Sequence, residues 1–186
     1  GVLEAFGTVH FLISHAGVAT VPGLKVNPFT PPIQNLPIEH WKTLYDYNLF
    51  GAVRVVHAFL DILKANQDGR LLFTSSVAAY KAGSKKPHYH SSKMALISFA
   101  KSMAQECGPY NINVNVVCPL VMTDKLAQWG KENPEMFQKN LDDIPLGRYG
   151  DAEKDIGKVC VFLASYDAKY ITGDTIFIQG GVGMKP

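Results

Sequence analysis

Apolar residues fall along this chain in two patterns, short unbroken runs and helical repeats, and the two patterns alternate. Val9 to Ile13 is a short apolar run closed by Ser14-His15-Ala16-Gly17, and its length predicts a buried strand. An unbroken apolar strand belongs in a parallel sheet covered on both faces. Pro22, Pro28, Pro31, Pro32 and Pro37 follow, too dense for any regular element, so a long loop of the kind that carries function is expected. With Pro37 at its start and Glu39 in its first turn, a helix runs to about Asn66, its apolar face made by Leu44, Val53, Val56, Leu60 and Leu63. Asp68-Gly69 ends it. Arg70 to Thr74 reads as a second buried strand with Ser75-Ser76 at its carboxyl end. After a loop to Pro87, His88 to Glu106 is helical, with Met94, Ile97 and Met103 on the apolar face and Gly108-Pro109 as the stop. Ile112 to Val117 is a third strand, Met122 to Trp129 and Pro134 to Leu141 two short helices, Ala152 to Ala164 a longer one, and Thr175 to Gln179 the last strand.

Strands alternating with helices predict right-handed crossovers and a doubly wound parallel sheet, a Rossmann-like three-layer α/β/α sandwich. Ligands in such sheets bind beyond the carboxyl ends of the strands. Ser14 to Gly17, Ser75 and Ser76, Pro119 to Thr123, and Gln179 to Gly183 all fall at those ends, so the polar and glycine-rich punctuation gathers on one rim.

Composition narrows the setting. With 186 residues, 47% of them hydrophobic, the chain can bury one ordinary core and is read as a single domain over 1–186. Its longest apolar stretches are far shorter than the roughly 20 residues of a membrane-spanning helix, so no membrane partner is expected. No basic-then-apolar leader opens the chain, and three widely spaced cysteines, Cys107, Cys118 and Cys160, suggest neither disulfides nor zinc. A cytoplasmic protein is expected. The net charge of +2 is dispersed, which argues against nucleic acid.

Tyr89 and Lys93 stand four apart on the helix that opens at His88, so their heads share one face and form a usable acid/base pair. A phenol with a pKa near ~10 is brought closer to neutrality by an adjacent ammonium. That spacing also arises by chance on many helix faces. Ser76, at the end of a strand thirteen positions before Tyr89, and Asn48, on the preceding helix, make the pattern specific. The series Asn48, Ser76, Tyr89 and Lys93, with Tyr89-His90-Ser91-Ser92-Lys93 as Y-x-x-x-K, resembles the catalytic tetrad of the short-chain dehydrogenase/reductase family. The resemblance runs from Val9 to the end and takes in Arg70 to Ser76, Asn113-Val114-Asn115-Val116-Val117-Cys118-Pro119, Tyr170-Ile171-Thr172-Gly173 and Gly180-Gly181.

The resemblance implies an NAD(P)-dependent oxidoreductase interconverting a secondary alcohol and a ketone. Tyr89 would exchange the proton, Lys93 would lower its pKa and bind the nicotinamide ribose, Ser76 would hydrogen-bond the substrate oxygen, and Asn48 would hold a water joining Lys93 to solvent. Ala16, Gly17, Pro119, Val121 and Thr123, with Tyr89 and Lys93, would contact NAD or NADP. Gly51, mid-helix, would permit close packing there. The two long helices resemble the pair through which the family dimerises, implying a homodimer or homotetramer.

Two departures stand out. The family's Asn-Asn-Ala-Gly is here Ser14-His15-Ala16-Gly17, so Ser14 and His15 either serve in place of the asparagines or mark an altered site. Pro-Gly becomes Pro119-Leu120, and a leucine restricts how closely the backbone approaches a nicotinamide. The family's opening strand, G-x-x-x-G-x-G turn and helix do not precede Val9, and Gly180-Gly181-Val182-Gly183 cannot replace them without a following helix. The chain therefore resembles the carboxyl-terminal part of a longer protein, the first three strands being absent, with its first strand presenting an open edge. That absence is also the ground for a second reading, a non-catalytic binding or assembly subunit that retains the tetrad as inheritance.

Other chemistry fits less well. His88 and His90, the nearest histidine pair, point apart at i and i+2 and lack a His-Glu-x-x-His frame, so no metal site is expected. They either line the substrate side near Tyr89 or are solvated at the helix start. Ser75 and Ser76 lack the Gly-x-Ser-x-Gly elbow of a hydrolase. Met122, Leu126, Trp129, Met136 and Phe137 either form an apolar flap over the reacting centre or pack as ordinary core. Lys81, Lys85 and Lys86 either steer an anionic substrate or belong to a solvated loop.

Overall fold

The computed structural model describes residues 1–23, 33–81 and 86–183; Pro28, Pro31, Pro32 and Lys85 lie outside them. The elements are α1 (Val2–Phe6), β1 (Phe11–Ser14), α2 (Ile38–Tyr45), α3 (Gly51–Asn66), β2 (Gly69–Thr74), α4 (Pro87–Cys107), β3 (Ile112–Pro119), α5 (Asp124–Glu132), α6 (Pro134–Asp142), α7 (Lys158–Ala164) and β4 (Thr175–Ile178). The four strands pair in parallel, in the order β1-β2-β3-β4. The unpredicted α1 is too short for its apolar residues to show a helical period. Among the described residues no helix is long and apolar enough to cross a membrane.

Period-two alternation along the central strands sorts the core into two layers. Leu71 and Phe73 on β2, with Val114, Val116 and Cys118 on β3, face α3 and α4 and meet Val56, Leu63, Leu96, Ile97 and Ala100. Leu72 and Val117 face the other way, onto Leu163 of α7 and Ala168. Helices thus cover both faces, as the unbroken apolar runs predict. Asn113 and Asn115 interrupt β3's apolar run on the second face, and their amides explain why. Asn113 Nδ2 donates to the Lys169 and Ile171 carbonyls at 2.9 and 3.1 Å, and Asn115 Nδ2 donates to Ile171 at 2.8 Å. The loop that leads into β4 is sewn to β3 by these bonds, so it cannot drift from the sheet.

The helix expected from Pro37 to Asn66 is present, with a π-helical turn, Asp46–Phe50, between α2 and α3. The helix expected over Ala152 to Ala164 likewise opens with a π-helical turn, Ala152–Gly157, capped by the Asp151 carboxylate, which accepts from the Glu153 and Lys154 amides. Gly51 closes the first of these turns by donating its N–H to the Asp46 carbonyl. A Cβ at Gly51 would meet only that carbonyl, at 3.7 Å, an ordinary contact, so close packing is not what requires glycine there. β1 pairs on one side only, with β2, among the described residues, and Ile13 on it is exposed.

The sheet's first layer depends on Phe73, which is 1% exposed and packs edge-on against Phe99 at a ring separation of 5.7 Å. Phe73→Ala is expected to cost about 3–5 kcal/mol. Phe162→Ala, at an exposed position on α7, should change stability by less than about 0.5 kcal/mol. Chemical denaturation of the two variants checks the contrast.

Candidate active site

β1 stops with Ser14 opposite Phe73, one residue short of Thr74, so the Thr74 carbonyl lies beyond the β1–β2 ladder at a point where the rim opens. Lys93 reaches this carbonyl from α4 and donates Nζ–H to it at 2.9 Å. In return the Ser75 hydroxyl donates to the Lys93 backbone carbonyl at 2.9 Å, so the end of β2 and the second turn of α4 hold each other. Lys93 is only 4% exposed, and burial pushes its ammonium down to about 8, with Cys118 on β3 pulling the other way.

One turn earlier, Tyr89 lies beside Ser76, whose hydroxyl favours the phenolate. Ser76 Oγ also accepts from the Ala78 amide at 3.1 Å, which fixes the hydroxyl at the start of a single turn of helix after β2. Burial raises the Tyr89 phenol above its usual range and the Ser76 hydroxyl opposes the rise. The Lys93 charge is not among the influences on Tyr89, which corrects the expectation of an ammonium-lowered phenol. The physical reason is that the ammonium is turned onto the Thr74 carbonyl and burial dominates both groups.

Asn48 sits within the first π-helical turn, almost fully buried. Such turns displace a side chain from the helical repeat and recur at functional sites. Its Oδ1 accepts from the Val18 amide at 2.8 Å, and its Nδ2 donates to the Val18 carbonyl and to Ser92 Oγ, both at 3.0 Å. Ser92 in turn donates to the Tyr89 carbonyl at 2.8 Å. Both amide N–H groups are therefore committed to protein. The work of the side chain is to clamp the segment after β1 onto α4. That segment passes close: a Cβ on Gly17 would stand 2.9 Å from Asn48 Oδ1 and 3.0 Å from Lys93 Nζ, so only glycine fits.

Two cavities flank this centre. One, of about 420 Å³, is lined by His15, Pro119, Val121, Met122, Thr123, Asp124, Ala152 and Ile156, and so gathers three of the expected cofactor contacts. Ala16 and Gly17 continue from His15 and are exposed on the same rim. Val121 is bridged to Gly150, and the Thr123 hydroxyl caps α5 by accepting from the Leu126 amide at 3.2 Å. Leu120 needs no left-handed backbone, since the non-glycine residues with positive φ are Gln67, Lys86 and Asn111, so leucine replaces glycine there without strain.

The other cavity, of about 410 Å³, opens at Ser76. Its walls are mainly apolar, with Val77, Leu120, Ile144, Tyr149 and Val182, and its polar groups include Lys81, His90, Asn140 and Asp143. His90 faces this cavity. His88 turns the other way, buried against the Trp41 ring of α2 at 5.9 Å. Of the flap candidates, Leu126 and Phe137 pack under the cavity with Ile144, Tyr149 and Val182, whereas Met136 is exposed and Met122 lines the first cavity. Lys81 lines the cavity, and Lys86 instead starts α4, its carbonyl accepting from Tyr89 and His90. Asn140, Asp143 and Tyr149 were not legible as site residues because they are distant in sequence and carry no local motif. No group of three or more metal-ligating side chains occurs among the described residues.

Because folding lowers the Lys93 pKa to about 8 from an unfolded value near 10.5, the unfolded chain binds more protons between those values. Stability should therefore rise with pH from about 8 to about 10.5, by a Lys93 contribution of about 3 kcal/mol. Lys93→Met should remove that part of the rise. Denaturation midpoints of the two proteins across this pH range check it.

Comparison with known proteins bears on the family and the fold. A family model described as Enoyl-(Acyl carrier protein) reductase matches residues 1–183. A 12alpha-hydroxysteroid dehydrogenase of Clostridium sp. is 34% identical over 185 residues, covering 100% of this chain and 68% of the relative. An uncharacterized short-chain type dehydrogenase/reductase of Sinorhizobium fredii is 34% identical over 186 residues, covering 97% and 68%. Among solved structures, a 7 alpha-hydroxysteroid dehydrogenase complexed with NADH and 7-oxo glycochenodeoxycholic acid is 27% identical with a TM-score of 0.84, over 98% of this chain and 67% of that one. The chain thus spans about two thirds of the length of these relatives. By sequence and by fold, it belongs to the short-chain dehydrogenase/reductase family of oxidoreductases.

Proposed function

We propose that the protein interconverts a secondary alcohol and a ketone, with NAD or NADP as hydride carrier and Tyr89 as the group that exchanges the proton. The observation that carries this reading is the Tyr89 phenol beside Ser76, which lines the 410 Å³ cavity, with the buried Lys93 ammonium one turn along the same helix. A carbonyl oxygen entering beside Ser76 meets two hydroxyls, one to polarise it and one to protonate it. Burial holds Tyr89 protonated, which suits donation of the proton to a ketone.

The cofactor supplies and accepts the hydride. The residues present fit it: the 420 Å³ cavity adjoins the site, Gly17 leaves backbone in contact with Lys93, and Lys93 has three N–H donors of which one goes to Thr74. Ala16, Gly17, Pro119, Val121 and Thr123 would hold it, with Lys93 and Tyr89 at its reacting end. The apolar walls of the other cavity suit a substrate with a hydrophobic body. The solved relative bound to NADH and a 7-oxo compound, and the dehydrogenase and reductase names of the curated relatives, support the same chemistry. No feature of the site favours the non-catalytic alternative.

Tyr89→Phe should lower nicotinamide-linked turnover by about 10²–10⁴-fold while leaving the circular dichroism spectrum intact. Turnover unchanged in that variant would overthrow the assignment of Tyr89. The same reading takes the protein to be a homodimer or homotetramer built on α2, α3 and α4. Tyr47 and Phe50, in the π-helical turn between α2 and α3, and Met94 on α4 are exposed large apolar side chains. Sedimentation at micromolar concentration should show a dimer or larger species, and a pure monomer would count against it.

A further inference from the structure

The departure at Ser14-His15 puts a side chain beside Thr74, the residue whose carbonyl receives Lys93 Nζ. The chain leaves the sheet after Ser14, yet residues 15–18 are tied down at both ends. His15 Nδ1 shares a 3.0 Å hydrogen bond with Thr74 Oγ1, and Val18 exchanges two backbone bonds with the Asn48 amide. Between these ties the Gly17 backbone lies against the lysine head, where a Cβ would stand 3.0 Å from Nζ and 3.8 Å from Cε. Gly17 is exposed whereas Lys93 is buried, so on this side the Gly17 backbone stands at the rim beside the ammonium. The residue gripped by His15 is also the one whose carbonyl receives Nζ.

We propose that His15 is a positioning residue for Lys93: by holding the exit of β1 against Thr74, it keeps Ala16 and Gly17 laid over the ammonium and the Thr74 carbonyl beneath it. This rests on the reading of Lys93 as the working ammonium of the site. Without the His15 bond, residues 15–18 are held at Val18 alone, and water reaches Nζ from the rim. The other groups facing Lys93 stay as they are: Cys118 comes from β3, and Tyr89 sits one turn earlier on α4. Desolvation is the main cause of the lysine's low pKa, so admitting water moves it back up. His15 also lines the 420 Å³ cavity, so its grip sets the wall on which Ala16 and Gly17 meet a ligand.

The test titrates Lys93 directly, with neither cofactor nor substrate present. Modification by an amine-acylating reagent is followed against pH and read at Lys93 by peptide mass spectrometry. The wild-type midpoint should lie at about 8. His15→Ala and Thr74→Val remove the same bond from its two ends, and each should move the midpoint upward by at least about half a unit. His15→Asn places an amide atom where Nδ1 stands and should retain the wild-type midpoint. If His15→Ala does not fold, Thr74→Val carries the test alone, since it preserves shape and the backbone carbonyl. An unchanged midpoint in a folded Thr74→Val or His15→Ala protein overturns the proposal, as does an asparagine variant that shifts as far as alanine. The readout needs no turnover, so its failure leaves the oxidoreductase reading standing, whereas failure of that reading shows in the Tyr89→Phe assay.

Discussion

The 2.9 Å bond from Lys93 Nζ to the Thr74 carbonyl is the contact around which the site is organised. It exists because β1 ends opposite Phe73 and leaves the next carbonyl of β2 outside the ladder. A buried carbonyl without a partner is costly, and so is a buried ammonium; each satisfies the other. The remaining parts follow from holding that pair in place. Ser75 returns a bond from β2 to the Lys93 backbone, the Gly17 backbone closes over the ammonium, and Asn48 fastens Val18 so that the covering segment stays down.

That contact also explains why the chain spends irregular structure where it does. The π-helical turn between α2 and α3 brings Asn48 into a position from which one amide serves Val18 twice and Ser92 once. Ser92 then bonds the Tyr89 carbonyl, so the amide that fixes the loop also steadies the helical turn carrying the phenol. Tyr89 and Lys93 are thereby positioned by three elements at once: β2, the π-helical turn and their own helix. Precision of this kind favours proton transfer, which falls off steeply when a donor is misplaced.

The elements of the sheet were legible from sequence because each central strand carries a short run of apolar residues, Leu71-Leu72-Phe73 in β2 and Val114, Val116 and Val117 in β3, even where Asn113 and Asn115 interrupt it. Arg70 to Thr74 and Ile112 to Val117 are found as β2 and β3 with small changes at their ends. Asn48, Ser76, Tyr89 and Lys93 stood out in the sequence through a resemblance to a family pattern, and the structure brings them to one end of the sheet around Thr74 and α4. What stayed hidden is what depends on bond direction. Sequence gives Tyr89 and Lys93 a shared helix face but does not say that Nζ turns to Thr74, and so it misjudges the influence on the phenol. It places Asn48 in the site but not its amide on Val18. Asn140, Asp143 and Tyr149 reach the second cavity through α6 and the loop after it, a juxtaposition made only by tertiary folding.

The two departures from the family pattern have different physical weight. Leu120 replaces a glycine at a position whose backbone is not left-handed, and its side chain joins the apolar cluster of Ile144, Tyr149 and Val182. There the leucine adds apolar surface to the wall of the 410 Å³ cavity, on the Ser76 side of the site. His15 acts on the other side. It supplies the bond that joins the exit of β1 to Thr74, and with it the path by which Gly17 reaches the ammonium. A site divided this way can vary its substrate wall through Leu120 and its neighbours while the charge at Lys93 is held by a separate set of contacts. The two cavities share Pro119 and are otherwise lined by different residues, but Leu120 of one wall runs directly into Val121 of the other and both pair with Gly150, so the two walls meet along this one stretch of backbone.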